Sequence, residues 1–333
     1  MDGMRAVVIR EFGPIESHQI EEVPTPTPDP GEVLIDVHAI GVNFPDSLMV
    51  QGLYQTKPDR PFTPGRDAAG VVAKVGAGVT RVKPGDRVTA LVTYGAYAEQ
   101  CIAPESRCFP LPAGVDFVTA AGMTTVYLTA WVALMVRGQY QTGEKVLVLG
   151  AAGGVGLAAV QIAKAKGAFV LGADITEEKR ALAKKNGADA VVDLGKGDVR
   201  ETLRDQVFAA TDGYGVDVIL DPIGGEVFDA AIRTLAFAGR IVCIGFVAGI
   251  PTARPNYFNV KNLTMAGLAL DLHFRHKPEV ILQAAADLFD LYGKKKIKPE
   301  ITGTYKLDDF RTALGLFGQK KSIGKVVMTT GRS

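Results

Sequence analysis

"VLVLGAAGGVGLAAV", Val146 to Val160, decides the fold. An apolar run of strand character meets Gly150, Gly153, Gly154 and Gly156, and a helix of small residues opens at once. Glycines at such a turn let backbone N–H groups and the positive helix end come close to a pyrophosphate, and small residues let the helix lie against a sheet. Ala152, Gly153, Gly154, Val155 and Gly156 are the residues expected to line that cradle. The spacing departs from strict G-x-G-x-x-G, because Ala151 stands where the first glycine belongs. Helix packing alone can also require glycines, so the turn gains its meaning from the strand and the acid beyond the helix.

That second apolar strand, "AFVLGA", ends on Asp174, 18 residues after Gly156. From that position a carboxylate can accept both hydroxyls of an adenosine ribose. Thr176 is placed to cap the next helix, with Glu177 and Glu178 favouring its positive end, which leaves Asp174 free for the ribose. Lys179, on that helix, is able to pair with a 2′-phosphate or to bond a ribose hydroxyl. A carboxylate beside a 2′-phosphate sets like charges together, so NAD(H) is the preferred coenzyme and NADP(H) the second.

Further along, "AVVDL", "VDVILD", "RIVCIGF" and "NLTMAGL" alternate with the helical stretches "EEKRALAKKNG", "DVRETLRDQVFAA" and "EVFDAAIRTLAFAG". Strands alternating with helices at this spacing predict parallel βαβ units, and six strands complete a doubly wound Rossmann sheet of the α/β class. From Arg5 to about Pro112 the pattern differs: "RAVVI", "EVLIDVHAIGV", "AAGVVAKVG" and "DRVTAL" are short β-type runs divided by Gly and Pro. The tail returns to helix-rich text, "EVILQAAADLFDLYGKKK" and "LDDFRTALGLF", and closes on a strand, "GKVVMTT". At 333 residues two cores are expected, since single cores stop growing near ~250 to 300 residues.

Composition narrows the partners. With 47% hydrophobic residues, 22% charged residues and a formal charge of +1, nothing biases the chain toward nucleic acid or an anionic membrane, and small neutral or anionic partners are expected. Cys101, Cys108 and Cys243 form no C-x-x-C pair, which favours free thiols in a reducing compartment. "MDGMRAVVIREF" lacks the pattern of a secretory signal, so a cytoplasmic location is expected. Phe117 to Val136 is an uncharged run of membrane-spanning length, but four threonines, Gly122 and Tyr127 make it a buried helix instead. His273 and His276 in "DLHFRHKPE" read as polar loop residues rather than metal ligands.

Taken together, the chain resembles the medium-chain dehydrogenase/reductase superfamily, with a Rossmann domain inserted in a β-rich GroES-like catalytic domain. The boundaries are set at 1–125 and 270–333 for the catalytic domain and 126–269 for the dinucleotide-binding domain. "GVNFPDSLMVQGLY", "GAAGGVGLAAVQIAKAKGA" and "DPIGGEVFDAAIRTLAFAGRIVCIGF" are similar to the zinc-free quinone oxidoreductase branch. Zinc-dependent members carry a Cys where Asn43 stands, with Asp46 three residues later, a His where "GRDAAG" has Arg66, and a third ligand near Met123. None of these replaces a His or thiolate at zinc, so no metal is expected.

Without a metal, alcohol ionisation is disfavoured, and hydride delivery to an electron-poor carbon or a quinone ring remains. The resemblance implies that Tyr54 protonates or hydrogen-bonds the substrate oxygen and that Asn43 positions the nicotinamide ribose and substrate. By the same resemblance Asp46 and Arg66 are expected to complete the catalytic set, and Thr125, Gly245 and Phe246 to line the nicotinamide. The expected activity is NAD(P)H-dependent reduction of quinones or enones by a homodimer. An enoyl-thioester reductase is the nearest alternative. A nucleotide-bound structural or RNA-binding protein is the other, and its basic face finds no support in 37 Lys and Arg against 36 Asp and Glu.

Overall fold

The computed structural model describes residues 3–318 and 323–332. The chain forms two compact units, Met1–Thr125 with Pro299–Ser333, and Val126–Lys298. In the second unit six strands, all parallel, run Lys145–Leu149, Phe169–Asp174, Ala190–Asp193, Val216–Asp221, Leu235–Cys243 and Thr264–Gly267. Their order across the sheet is third, second, first, fourth, fifth, sixth. This is the doubly wound arrangement, and the order reverses between the first and fourth strands. Leu147, Leu149, Leu171, Ile219 and Phe228 are fully enclosed in its core.

The helix Gly154–Ala165 packs through Ala158, Ala159, Ile162 and Ala163, all buried, because small side chains let it lie close to the sheet. Helices Glu177–Lys185 and Val199–Ala210 each begin at a side-chain cap, Thr176 accepting from the Lys179 N–H and Asp198 from the Arg200 N–H. The expected capping role of Thr176 is met.

Three expectations need correction. The second unit runs on to Lys298, so the chain returns to the first unit at Pro299 and not at 270. The reason is polar anchoring: Asp287 accepts from Trp131 Nε1 and pairs with Lys166, while the Gln161 side chain bonds both the N–H and the carbonyl of Lys298. The run "EVFDAAIRTLAFAG" is not one helix. Its helical part ends at Ile232, and Leu235–Cys243 is a strand whose Leu235 pairs with Val216. An apolar run of that length has no periodicity to separate the two states. Finally, His273 and His276 belong to a short helix, Leu270–His276, not to a loop.

The first unit holds a seven-stranded sheet. Glu32–Val42 is its long central strand, flanked by Asp67–Val75 on one side and Lys325–Thr329 on the other. Ile301–Lys306 pairs parallel to Lys325–Thr329, and Arg87–Leu91, Cys108–Pro110 and Gln100–Pro104 complete it with antiparallel pairing. Gly3–Val8 and Gln19–Pro24 form a separate hairpin. Ile35, Val37, Ile40, Val88, Tyr97 and Phe310 fill the core between these elements. The uncharged segment is the helix Phe117–Trp131, continued as one wider turn through Val132–Arg137, and its most apolar window is 78% buried. All three cysteines are free thiols.

Candidate active site

The glycine turn follows the end of the first parallel strand, beside the turn after the fourth. Gly150 has φ +61°, and a Cβ there would lie 3.3 Å from Ile223, so the two turns touch. At Gly156 the restriction is steric: a Cβ would stand 2.1 Å from the Gly150 carbonyl oxygen. Gly153 precedes the helix with extended backbone and gives it no side-chain cap. The N–H groups of Gly154, Val155 and Gly156 therefore belong to a first turn with no intrahelical acceptor, unlike the capped starts at Thr176 and Asp198. An uncapped start under a turn that bars a side chain at Gly156, at the sheet's reversal point, fits an anionic dinucleotide backbone.

Ala152 does not share this freedom. Its N–H donates to Asp174 Oδ2 at 3.0 Å, and the Ile175 N–H donates to Asp174 Oδ1 at 2.8 Å. Asp174 is thus buried and clamps the glycine turn to the second strand. A carboxylate has about four lone-pair sites, so one on each oxygen remains for ribose hydroxyls. Lys179 Nζ stands 4.0 Å from Oδ1, while Arg180 is committed to Asp193 at 2.7 Å. Gly245 and Phe246 follow the fifth strand. A Cβ on Gly245 would come 2.9 Å from the Pro222 carbonyl, whereas the Phe246 ring is exposed.

In the first unit the structure gathers Asn43, Asp46, Arg66 and Thr125 and adds two residues that sequence reading missed, Asp67 and Lys325. The Asn43 amide donates to Asp67 Oδ2 at 2.9 Å and to the Gly41 carbonyl at 3.3 Å, and its oxygen accepts from Lys325 Nζ. Lys325 Nζ also donates to the Val42 carbonyl at 3.0 Å and faces Asp67 Oδ2 at 3.4 Å. The Thr125 hydroxyl donates to Asp67 Oδ1. With both amide hydrogens spent inside the protein, Asn43 is an organiser of this cluster, and one lone pair of its oxygen is all it retains for a ligand.

Close approach makes the cluster possible: a Cβ on Gly41 would sit 2.3 Å from the Ala121 carbonyl and 2.8 Å from Asp67 Oδ2. Tyr54 stands apart. Its ring packs half-buried against the first unit's core, and its hydroxyl has no hydrogen-bond partner among the described residues.

Asp46 is wholly enclosed. Its Oδ2 accepts from the Asn43 N–H at 2.9 Å and the Tyr97 hydroxyl at 3.0 Å, and its Oδ1 has no partner. Burial pushes its pKa up to about 6, aided by the Asp67 charge and opposed by the Asn43 N–H, Lys325 and Arg66. Burial and the Asp46 charge also raise the Tyr97 phenol well above its usual range, so it stays the donor. A carboxyl whose pKa is raised on folding favours the folded state most below the unfolded value near 3.8, and that advantage is lost as pH rises through about 6.

Asp46→Asn keeps an acceptor for both donors and carries no charge. The loss of thermal stability between pH 5 and pH 8 is therefore expected to shrink in Asp46→Asn, by about 1 kcal/mol, the share of the pKa gap that lies above pH 5. Superimposable pH–stability curves for the variant and the wild type would rule this out.

By the resemblance, Asn43, Arg66 and Met123 occupy zinc-ligand positions, and among the described residues no three His, Cys, Asp or Glu side chains converge as metal ligands. Comparison with known proteins agrees on architecture. A zinc-binding dehydrogenase domain model matches residues 154–288, and an alcohol dehydrogenase GroES-like domain model matches residues 29–113. The quinone oxidoreductase-like protein 2 homolog of Nematostella vectensis is 36% identical over 303 residues, 90% of this chain and 82% of its own. Escherichia coli quinone oxidoreductase, solved in complex with NADPH, superposes with a TM-score of 0.89 at 30% identity, over 98% of this chain and 99% of that one. The CurK enoyl reductase superposes with a TM-score of 0.88 at 27% identity, again over 98% and 99%.

Proposed function

We propose a function on one premise: the chain belongs to the quinone oxidoreductase branch of the medium-chain dehydrogenase/reductase superfamily and is an oxidoreductase of that type. The reaction we assign is metal-independent reduction of quinones or α,β-unsaturated carbonyl compounds at the expense of a reduced nicotinamide dinucleotide. The uncapped helix start beneath the Gly150–Gly156 turn carries this reading, because it offers free N–H groups to a pyrophosphate and admits no side chain at Gly156.

A bound reduced nicotinamide supplies the hydride. The protein then has to hold that cofactor and settle the charge left on the substrate. Gly154, Val155 and Gly156 take the negative charge of the pyrophosphate, and Asp174 takes the adenosine ribose with the lone pairs its backbone bonds leave open. Tyr54, with an uncommitted hydroxyl, donates to the substrate oxygen as electron density arrives there. A screen with quinones, enones and enoyl thioesters, followed by reduced-nicotinamide absorbance in the presence of chelator, tests the assignment. Turnover of quinones or enones that survives chelation is expected. Activity confined to enoyl thioesters would move the chain to the enoyl reductase reading, and activity lost together with one zinc per chain would end the metal-free one.

Coenzyme choice is expected to turn on Asp174. The E. coli relative was solved with NADPH, whereas here a 2′-phosphate would meet a carboxylate, at a cost on the order of 1 to 4 kcal/mol near a protein surface. Lys179 offsets part of that from 4.0 Å. We therefore expect NADH to be preferred, and Asp174→Ser to shift the ratio of kcat/KM values toward NADPH by about tenfold or more, mostly through KM. Wild-type protein that uses NADPH as well as NADH, with no shift on substitution, would reduce Asp174 to a clamp on the turn.

A further inference from the structure

We propose that Gln161 is a latch that holds both ends of the dinucleotide unit's chain segment on the helix opening at the glycine turn, and that a dinucleotide bound at that turn tightens it. The latch stands on geometry alone, and its tightening rests on the function proposed above.

The chain enters this unit at Val126 and leaves it at Lys298. Gln161 lies about two turns along the helix Gly154–Ala165, where the other buried side chains are Leu, Ala, Val and Ile, so packing alone does not call for an amide. Its Oε1 accepts from the Tyr127 hydroxyl at 2.7 Å, beside the point of entry, and from the Lys298 N–H at 2.8 Å, at the point of exit. Its Nε2 donates to the Lys298 carbonyl at 2.8 Å and to Asn186 Oδ1 at 2.6 Å. A carboxamide has two hydrogens and two oxygen lone pairs, so every position is in use. Because one oxygen receives both Tyr127 and Lys298, a movement of the amide that frees one end frees the other.

Swinging the side chain alone would strand the buried amide and its partners, whereas a shift of the helix lets water reach all of them. The low-cost opening is therefore a shift of the helix. The first turn of that helix is the cradle assigned above to the pyrophosphate, and Asn186 closes the helix that begins beyond Asp174. A dinucleotide that holds the first turn and the Asp174 carboxylate opposes such a shift. Occupied protein then opens less often than empty protein, and by linkage the open form binds the dinucleotide more weakly by the same factor.

Hydrogen exchange at the Lys298 amide, followed by NMR on the full-length chain, reports the latch directly. Without coenzyme, Tyr127→Phe is expected to speed that exchange about fivefold, although the substitution is at the other end of the segment, and Gln161→Met by about tenfold or more. NADH, or NADPH if it binds more tightly, is added to wild type at about a hundred times the Kd found by fluorescence titration. It should slow the exchange about tenfold, within the ~100-fold that mass action allows at that excess. Gln161→Met should bind the same coenzyme about tenfold more weakly.

An unchanged Lys298 rate in Tyr127→Phe means that the two ends open independently and overturns the latch. Wild type that binds coenzyme with no slowing at Lys298 overturns the tightening and leaves the nicotinamide reading intact. Wild type that binds neither coenzyme overturns the nicotinamide reading and the tightening together, and Tyr127→Phe still decides the latch. Should Gln161→Met fail to fold, Tyr127→Phe and the wild-type titration decide alone.

Discussion

Lys325→Met is expected to lower the thermal unfolding midpoint by about 10 °C. The substitution removes the ammonium from a pair in which both side chains are almost wholly buried and leaves Asp67 without that partner. Breaking a buried pair from one side costs about 3 to 5 kcal/mol, and each kcal/mol moves the midpoint of a unit of this size by roughly 2 to 4 °C. Much of that cost is the stranded carboxylate, not the pair's net worth. Lys325→Met combined with Asp67→Asn should therefore be more stable than Lys325→Met alone, although it carries one more substitution. Calorimetry on these two variants and on Asp67→Asn alone checks this. Strictly additive losses, or a single-variant midpoint within about 2 °C of wild type, would mean that the pair is solvated and weak.

Tyr54→Phe is expected to lower kcat on enones by about 10²-fold or more, with a much smaller loss on quinones. The ring contributes packing, which phenylalanine retains, so the variant removes only a hydroxyl with no internal partner among the described residues. Reduction of an enone leaves an enolate that needs a proton at a defined place, and a positioned donor contributes ~10² to 10⁴-fold. A hydroquinone can take its protons from water. Steady-state kinetics on one substrate of each class separates the two. Equal and small effects on both would assign Tyr54 to packing.

The parts of the fold that were legible in the sequence are the local ones. The first four strands of the dinucleotide unit are short apolar runs followed by a glycine turn or a cap, and neither signal depends on distant residues. Thr176 and the glycine turn were readable for that reason. The boundary inside "AAIRTLAFAGRIVC" was not, because its apolar residues fit either period. The return to the first unit was misplaced because nothing between Leu270 and Lys298 announces that Asp287 will meet Trp131 and Lys166.

Asp67 and Lys325 escaped for the same reason on a larger scale, since 258 positions of sequence separate them. Only a faint signal existed: a charge at each of two inward positions, in "GRDAAG" and in "GKVVMTT". A lysine opening an otherwise apolar strand demands a buried partner, but a single sequence does not name it.

Gly41 bears on how deep mutational scans of this protein are to be interpreted. Its backbone is ordinary strand, yet every replacement drives a Cβ into the Ala121 carbonyl 2.3 Å away and toward the Asp67 carboxylate. In a selection for activity, position 41 would be blank for every alternative residue, as intolerant as any residue that touches substrate. Ranking positions by intolerance would then promote to the catalytic machinery a residue whose whole contribution is the absence of a side chain. A parallel abundance screen separates the cases: Gly41 variants would be depleted from the folded pool, whereas Tyr54→Phe would persist there at normal levels while failing on enones.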